Sequence, residues 1–371
     1  MRGLVIVLAL AACGGGSSDP GDNNGPDGGG SDHPDGSHPG SDGSGGPLPV
    51  GFSYTAYKDT GINMDWNTNT ISSSVSGTRT PLVQDIAGNA VTLAFATGAC
   101  GSENWGGVQG DALATANAAA FAAAGVHYIV STGGASGTFT CDDDAAFETF
   151  VSRWQSATLD GIDFDIEAGQ SADVIDALVA RVATAHAAHP SLRFSFTLGS
   201  LGPGTGATAQ SLGGDAMDSL NVYGDNTLAA IAQQLGFTGD ASTWPAYVTI
   251  NLMTMDYGST GQYNCIVSGS SCEMGQSAIQ AAYNLHDHQG VPYSGIELTP
   301  MIGGNDTPGE TFTLDDASAV GAFVQANSLA GLHFWSYDRD TDCAPGSSSP
   351  TCNSLGTAGN YGFLHAFAAA L

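Results

Sequence analysis

Asp160-Gly161-Ile162-Asp163-Phe164-Asp165-Ile166-Glu167 alternates apolar and acidic side chains from Ile162 onward. In a β-strand, successive side chains point to opposite faces. Asp163, Asp165 and Glu167 therefore share one face, and Ile162, Phe164 and Ile166 share the other. The plain alternative is an ordinary acidic strand with solvated carboxylates. In a parallel barrel, the apolar face meets the surrounding helices and the acids point inward, rising toward the C-terminal rim where such barrels carry their chemistry.

Reading outward, eight β-type runs recur, at 52–58, 91–97, 126–132, 161–167, 193–198, 248–257, 295–302 and 331–338. Helical patterns separate many of them, at 111–124, 145–156, 172–188, 277–288 and 315–327. Strands alternating with helices imply parallel βαβ units. A doubly wound open sheet shares this local grammar, but the count of eight favours an α/β fold of the (β/α)8 TIM barrel type over residues 48–371. The segment 199–246 is long for one crossover and Gly-rich at its start. An extra loop and a helix around 228–235 are expected there.

Composition bounds the partners. The 371 residues include 36 acidic and 7 basic side chains, a formal net charge of −29. Such a surface repels phosphate backbones, so no nucleic-acid partner is expected. Residues 1–13 read as a leader: Arg2 is followed by an apolar run too short to span a bilayer. The run ends Leu10-Ala11-Ala12-Cys13, which resembles the bacterial lipobox, so Cys13 is the expected lipidation site. The expectation is a secreted protein anchored by lipid to the bacterial cell envelope, with membrane contact through that anchor alone. Residues 14–47 are nearly all Gly, Ser, Asp, Pro, Asn and His, a composition expected of a disordered linker. His33 and His38 read as solvated residues of that linker. Setting the leader and linker aside leaves the domain 30 acidic and 6 basic residues, a net −24. The six remaining cysteines show no metal-site spacing and suit disulfides in an oxidising compartment. Fifteen pairings are open. Proximity suggests Cys265 with Cys272 and Cys343 with Cys352, leaving Cys100 with Cys141.

Three carboxylates on one inward face cannot all ionise cheaply, so repulsion and desolvation should spread their pKa values. A carboxyl kept protonated near neutral pH is what general acid catalysis requires, and Glu167 stands uppermost. A Mg²⁺ or Ca²⁺ site is the main rival. Barrel metal sites draw ligands from several strands, however, and no other strand end offers a matching acid cluster. No metal or cofactor is expected.

The stretch 160–167 resembles the DxxDxDxE signature of glycoside hydrolase family 18, the chitinases and their relatives. Ser131-Thr132-Gly133-Gly134 is similar to the family's SxGG motif, and Met253-Thr254-Met255-Asp256 to its MxYD motif. The runs 299–303 and 334–340 look like the seventh- and eighth-strand ends of the bacterial branch. The resemblance implies that Glu167 protonates the glycosidic oxygen and later activates water. Asp165 would hold the substrate's acetamido N–H while the acetamido oxygen attacks the anomeric carbon. Asp163, backed by Ser131, would share a proton with Asp165, and Ser131 is also expected among the substrate-binding residues. This substrate-assisted route departs from two-carboxylate schemes. Asp256 is the motif's acid, with Met253 and Met255 lining the sugar site. Trp335 would floor the sugar pocket, an indole face suiting a pyranose face. Trp105 is either a subsite residue or an anchor of its own loop, and His333 reads as a core histidine. Met255 stands where the family has a tyrosine, and strand parity suggests that Tyr257 supplies that hydroxyl, with Asp256 turned inward by a bulge.

The activity so implied is endo-type cleavage of chitin or N-acetylglucosamine oligosaccharides by a monomer. Endo action is expected because 304–331 has room for a single crossover helix, without the insertion that walls the cleft of deep-cleft relatives. Two rivals are an endo-β-N-acetylglucosaminidase acting on glycoprotein glycans and a non-catalytic chitin-binding protein. Glu167 argues against the latter, because silent members of the family lack that acid.

Overall fold

Each of the eight apolar runs forms a strand, and in the computed structural model they close on one another. The structure describes residues 51–86, 90–203, 220–346 and 348–371. The leader with Cys13, the linker 14–47 with His33 and His38, and residues 48–50 lie outside the described residues. So does the Gly-rich part of the segment 199–246.

The strands are β1 (Ser53–Asp59), β2 (Ala90–Ala96), β3 (His127–Gly133), β4 (Leu159–Ile166), β5 (Arg193–Gly199), β6 (Val248–Thr254), β7 (Ile296–Pro300) and β8 (Gly331–Trp335). All neighbours are parallel, and β1 pairs with both β2 and β8, which closes the ring. An open doubly wound sheet is thereby excluded. The outer helices are α1 (Gly110–Ala124), α2 (Asp144–Trp154), α3 (Ala172–Ala188), α4 (Val222–Leu235), α5 (Met274–Gln289), α6 (Leu314–Asn327) and α7 (Gly362–Ala370).

Strand alternation places the core as the sequence implies. Ile162, Phe164 and Ile166 are buried on the helix side of β4. Phe164 packs 5.2 Å from Phe196 of β5 and 6.0 Å from Phe147 of α2, centroid to centroid. The opposite faces fill the barrel with polar groups. At the bottom, Thr55 Oγ1 lies 2.6 Å from both Thr92 Oγ1 and His333 Nδ1, and Glu297 pairs with Arg193. His333 is a core histidine, with burial holding its pKa down at about 3.

Two features depart from the sequence reading. Between β1 and β2 there is no full crossover helix among the described residues. A small hairpin, Ser72–Ser73 with Thr80–Pro81, and the single turn Leu82–Asp85 cover that side, burying Ile71, Val75 and Leu82. At the C-terminus, α7 adds an eighth wall that the sequence reading omits. Its Phe367 packs 5.7 Å from Phe334 and 5.9 Å from Phe312, sealing β8.

The three disulfides form as sequence proximity suggests, with Cα–Cα distances of 5.2, 5.7 and 5.7 Å, ordinary for such bridges. Cys100–Cys141 ties the loop after β2 to the loop after β3. Cys265–Cys272 closes a turn after β6, and Cys343–Cys352 one after β8. All three brace the C-terminal rim.

Candidate active site

The register of the barrel surrounds Asp163 with hydroxyls. Asp163 lies level with Ser131 on β3 and Ser195 on β5. Its Oδ2 accepts from Ser131 Oγ at 2.5 Å and Tyr57 Oη at 3.0 Å, and its Oδ1 from Ser195 Oγ at 2.6 Å and Thr197 Oγ1 at 2.7 Å. A buried carboxylate needs such partners, since desolvation without them costs several kcal/mol. Asn251 extends the network, donating to Tyr57 and Thr197 at 2.9 Å each and accepting from Thr299 at 2.7 Å.

One layer up, Asp165 has no such support. Its Oδ1 is buried without a hydrogen-bond partner, and no hydrogen bond joins it to Asp163. Burial first, then Glu167 and Asp163, raise its pKa well above the carboxylate range. Glu167 follows the last residue of β4. Burial pushes its pKa up to about 7; the Ala135 backbone N–H opposes that shift and Asp256 adds to it.

The Gly133–Gly134 pair permits this packing. Gly133 sits level with Asp165, at φ +87°, and a Cβ there would lie 2.0 Å from the Asp165 carbonyl oxygen. A Cβ on Gly134, at φ +80°, would meet the Phe95 ring at 2.8 Å. Only glycine tolerates both the left-handed backbone and the approach.

Above the acids opens a pocket of about 430 Å³. Trp335 lines it, stacked on Phe95 at 5.7 Å and 19° between planes, with Tyr57 at 6.3 Å. Met253, Met255 and Met301 supply further apolar wall. Asp256 also faces the pocket. Burial raises its pKa, against a 2.9 Å hydrogen bond from the Thr307 N–H to its Oδ1.

Parts of the sequence and the fold have parallels among known proteins. No protein-family model matches the chain. It is 35% identical over 100 residues to a probable bifunctional chitinase/lysozyme of Escherichia coli, covering 24% of this chain and 11% of that protein. It is 34% identical over 104 residues to endochitinase 11 of Metarhizium anisopliae, covering 26% and 20%. The chain thus spans a fifth or less of these curated relatives. Among solved structures, the catalytic domain of a hyperthermophilic chitinase from Pyrococcus furiosus superposes with a TM-score of 0.61 at 22% identity, over 88% of this chain and 96% of that one. The two share one fold.

The pocket gathers Glu167, Asp165, Asp256, Trp335, Met253 and Met255, with Asp163 beneath. Three sequence-based assignments need correction. Trp105 is 1% exposed and packs 5.2 Å from Trp154, so it anchors its loop and lines no sugar subsite. Ser131 is fully buried under Asp163 and supports that acid without facing the pocket. Tyr257 lies outside the pocket, its hydroxyl buried without a partner, while its N–H donates to Glu310 Oε2 at 3.0 Å. Strand parity does not reach Tyr257, because β6 stops at Thr254. Asp256 then turns inward through a left-handed φ of +48°, not a bulge. Tyr57, Phe95, Asn221, Met301 and Asp306 also line the pocket, though none is a site residue expected from the sequence. The strand-end position of Tyr57, Phe95 and Met301 was the available signal.

The buried carboxyls set a pH dependence. Burial raises Asp165 and Asp256, lifts Glu167 and Glu310 to about 7, and lifts Asp340 to about 6. A carboxyl raised in the folded state contributes stability that is complete below its unfolded pKa, near 4, and lost as pH rises through the folded value. His333, depressed to about 3, acts oppositely and lowers stability as pH falls below about 6.5. Five carboxyls outweigh one imidazole, so Tm should climb as pH falls from 8 to about 5. Thermal melts at constant ionic strength check this; a flat or falling Tm over that range contradicts it.

Proposed function

We propose that the domain is a chitinase-type glycoside hydrolase that cleaves β-1,4-linked N-acetylglucosamine chains internally and with retained configuration. One observation carries the reading. The inward acids of β4 end in a glutamate whose pKa is pushed to about 7, at the mouth of a pocket walled by Trp335. A carboxyl half-protonated at neutral pH can give a proton to a glycosidic oxygen and later take one from water. Asp165, with a free buried oxygen, suits an acetamido N–H donor, and the substrate's own carbonyl oxygen then serves as nucleophile. The Pyrococcus furiosus domain is described in complex with chito-oligosaccharides, which supports the same ligand class. An open groove fits endo action: between β7 and β8 the chain forms only the hairpin Gly303–Gly304 with Thr311–Phe312, then α6.

Glu167→Gln should preserve the fold and oligosaccharide binding while lowering kcat on chito-oligosaccharides by about 10²–10⁴. The wild-type rate should fall as pH rises through about 7, where Glu167 loses its proton. A Glu167→Gln enzyme with wild-type turnover removes the assignment.

The first-formed product should keep the β configuration at its anomeric carbon, because attack by the acetamido oxygen and then by water inverts that centre twice. Proton NMR during early turnover reads this directly, and an initial α-anomer rules out the route.

On the Leu10–Cys13 pattern, the mature protein is attached to the cell envelope by lipid on Cys13. Cys13→Ser should release it from membranes or block its processing, as fractionation would reveal. Unchanged membrane association defeats the anchor.

A further inference from the structure

The pocket wall between β5 and β6 holds an amide whose two ends are treated differently. Asn221 caps helix α4. Its Oδ1 accepts from the backbone N–H groups of Tyr223 and Gly224 at 3.0 Å each. Two donors on one atom fix the amide's orientation, because Nδ2 cannot accept a hydrogen bond. The nitrogen end is therefore turned away from the helix. Asn221 is 9% exposed and is one of the residues lining the pocket. No hydrogen bond from its Nδ2 to a described residue is present.

Its neighbour explains how it reaches the pocket. A Cβ on Gly199 would lie 2.9 Å from Asn221 Nδ2 and 4.0 Å from Met253 Cε. Glycine at the end of β5 thus leaves the amide its place beside a wall methionine. The other polar side chains around the pocket are mostly committed. Tyr57 and Thr197 donate to Asp163, Ser200 to the Met253 carbonyl at 2.9 Å, and Thr299 to Asn251. Among the described residues, the Asn221 amide, the Ser136 hydroxyl and the Trp335 indole on the wall donate to no acceptor. Asp59, Asp165, Glu167, Asp256 and Asp306, by contrast, supply acceptors in excess.

We propose that Asn221 binds substrate directly, its Nδ2 donating a hydrogen bond to an acceptor oxygen of the amino sugar held in this pocket. The inference rests on the glycoside hydrolase reading and names a contact within it. Among the described residues this nearly buried donor has no acceptor, so an oxygen arriving there supplies one, and a sugar with no oxygen at this point is rejected.

The test separates cap from contact. Serine and aspartate cap helices about as well as asparagine, so Asn221→Ser and Asn221→Asp should keep the wild-type Tm while removing the amide donor. With the N-acetylglucosamine tetramer as substrate, kcat/KM should fall about tenfold in Asn221→Ser and at least as far in Asn221→Asp. In a Glu167→Gln background, Asn221→Ser should weaken tetramer binding by a similar factor in calorimetry. Both variants within twofold of wild type, where wild type cleaves the tetramer, overturn the contact and leave the hydrolase reading intact. A wild-type protein that neither binds nor cleaves the tetramer overturns both.

Discussion

Asp163 is the pivot of the structure. A carboxylate at the axis of a barrel would destabilise the fold if it stood alone, and here it accepts four hydroxyl hydrogen bonds contributed by β1, β3 and β5. Those bonds form only when the three strands hold one register with β4, so satisfying the charge and closing the barrel are the same event. Thr197, Tyr57 and Asn251 carry the network on to β6, and Thr299 to β7. With its hydroxyl partners spent on the lower acid, the next layer has none to give. Asp165 is left with a bare buried oxygen, and Glu167 with a proton it can release near neutral pH. The reactivity of the upper acids follows from the stability of the lower one.

The scarce cations complete this arrangement from behind. Lys58, the sole lysine, is fully buried between the end of β1 and the turn after β8, paired with Asp338 at 2.7 Å. Arg339 donates to the carbonyls of Ile302, Gly304 and Ser349, tying the loop after β7 to the disulfide-closed turn after β8. Asp340 accepts from the N–H groups of Phe363 and Leu364 and so fixes the start of α7. The charged run after Trp335 is therefore a clasp that holds the pocket wall to the barrel. Among the described residues, none of the side chains lining the pocket is basic, while five of them are carboxyls.

Hydrogen bonds between loops do at the rim what strand pairing does below. The segment after β7 reaches across to β6: Asn305 accepts from the Asp256 N–H, Thr307 donates to the Asp256 carboxylate, and Glu310 accepts from the Tyr257 N–H. These three contacts, each spanning about fifty residues of chain, turn Asp256 toward Glu167 and bury Tyr257 behind it.

The sequence by itself determined what depends on local alternation. Strand parity fixed which face of 160–167 carries acids, the repetition of apolar runs fixed the barrel, and short spacing suggested two of the disulfides and, by elimination, the third. His333 was legible as a core group for the same reason. Parity ceases to inform where strands end, and the site is built from strand ends. Tyr257 was misplaced because a left-handed residue interrupts the alternation, and Trp105 because a loop tryptophan gives no sign of the partner, Trp154, that buries it. The C-terminal helix depends on distant phenylalanines, and the role of Asn221 on a helix start and a glycine twenty-two residues earlier. Those positions are set by contacts between segments far apart in the chain, which have no period for a sequence to display.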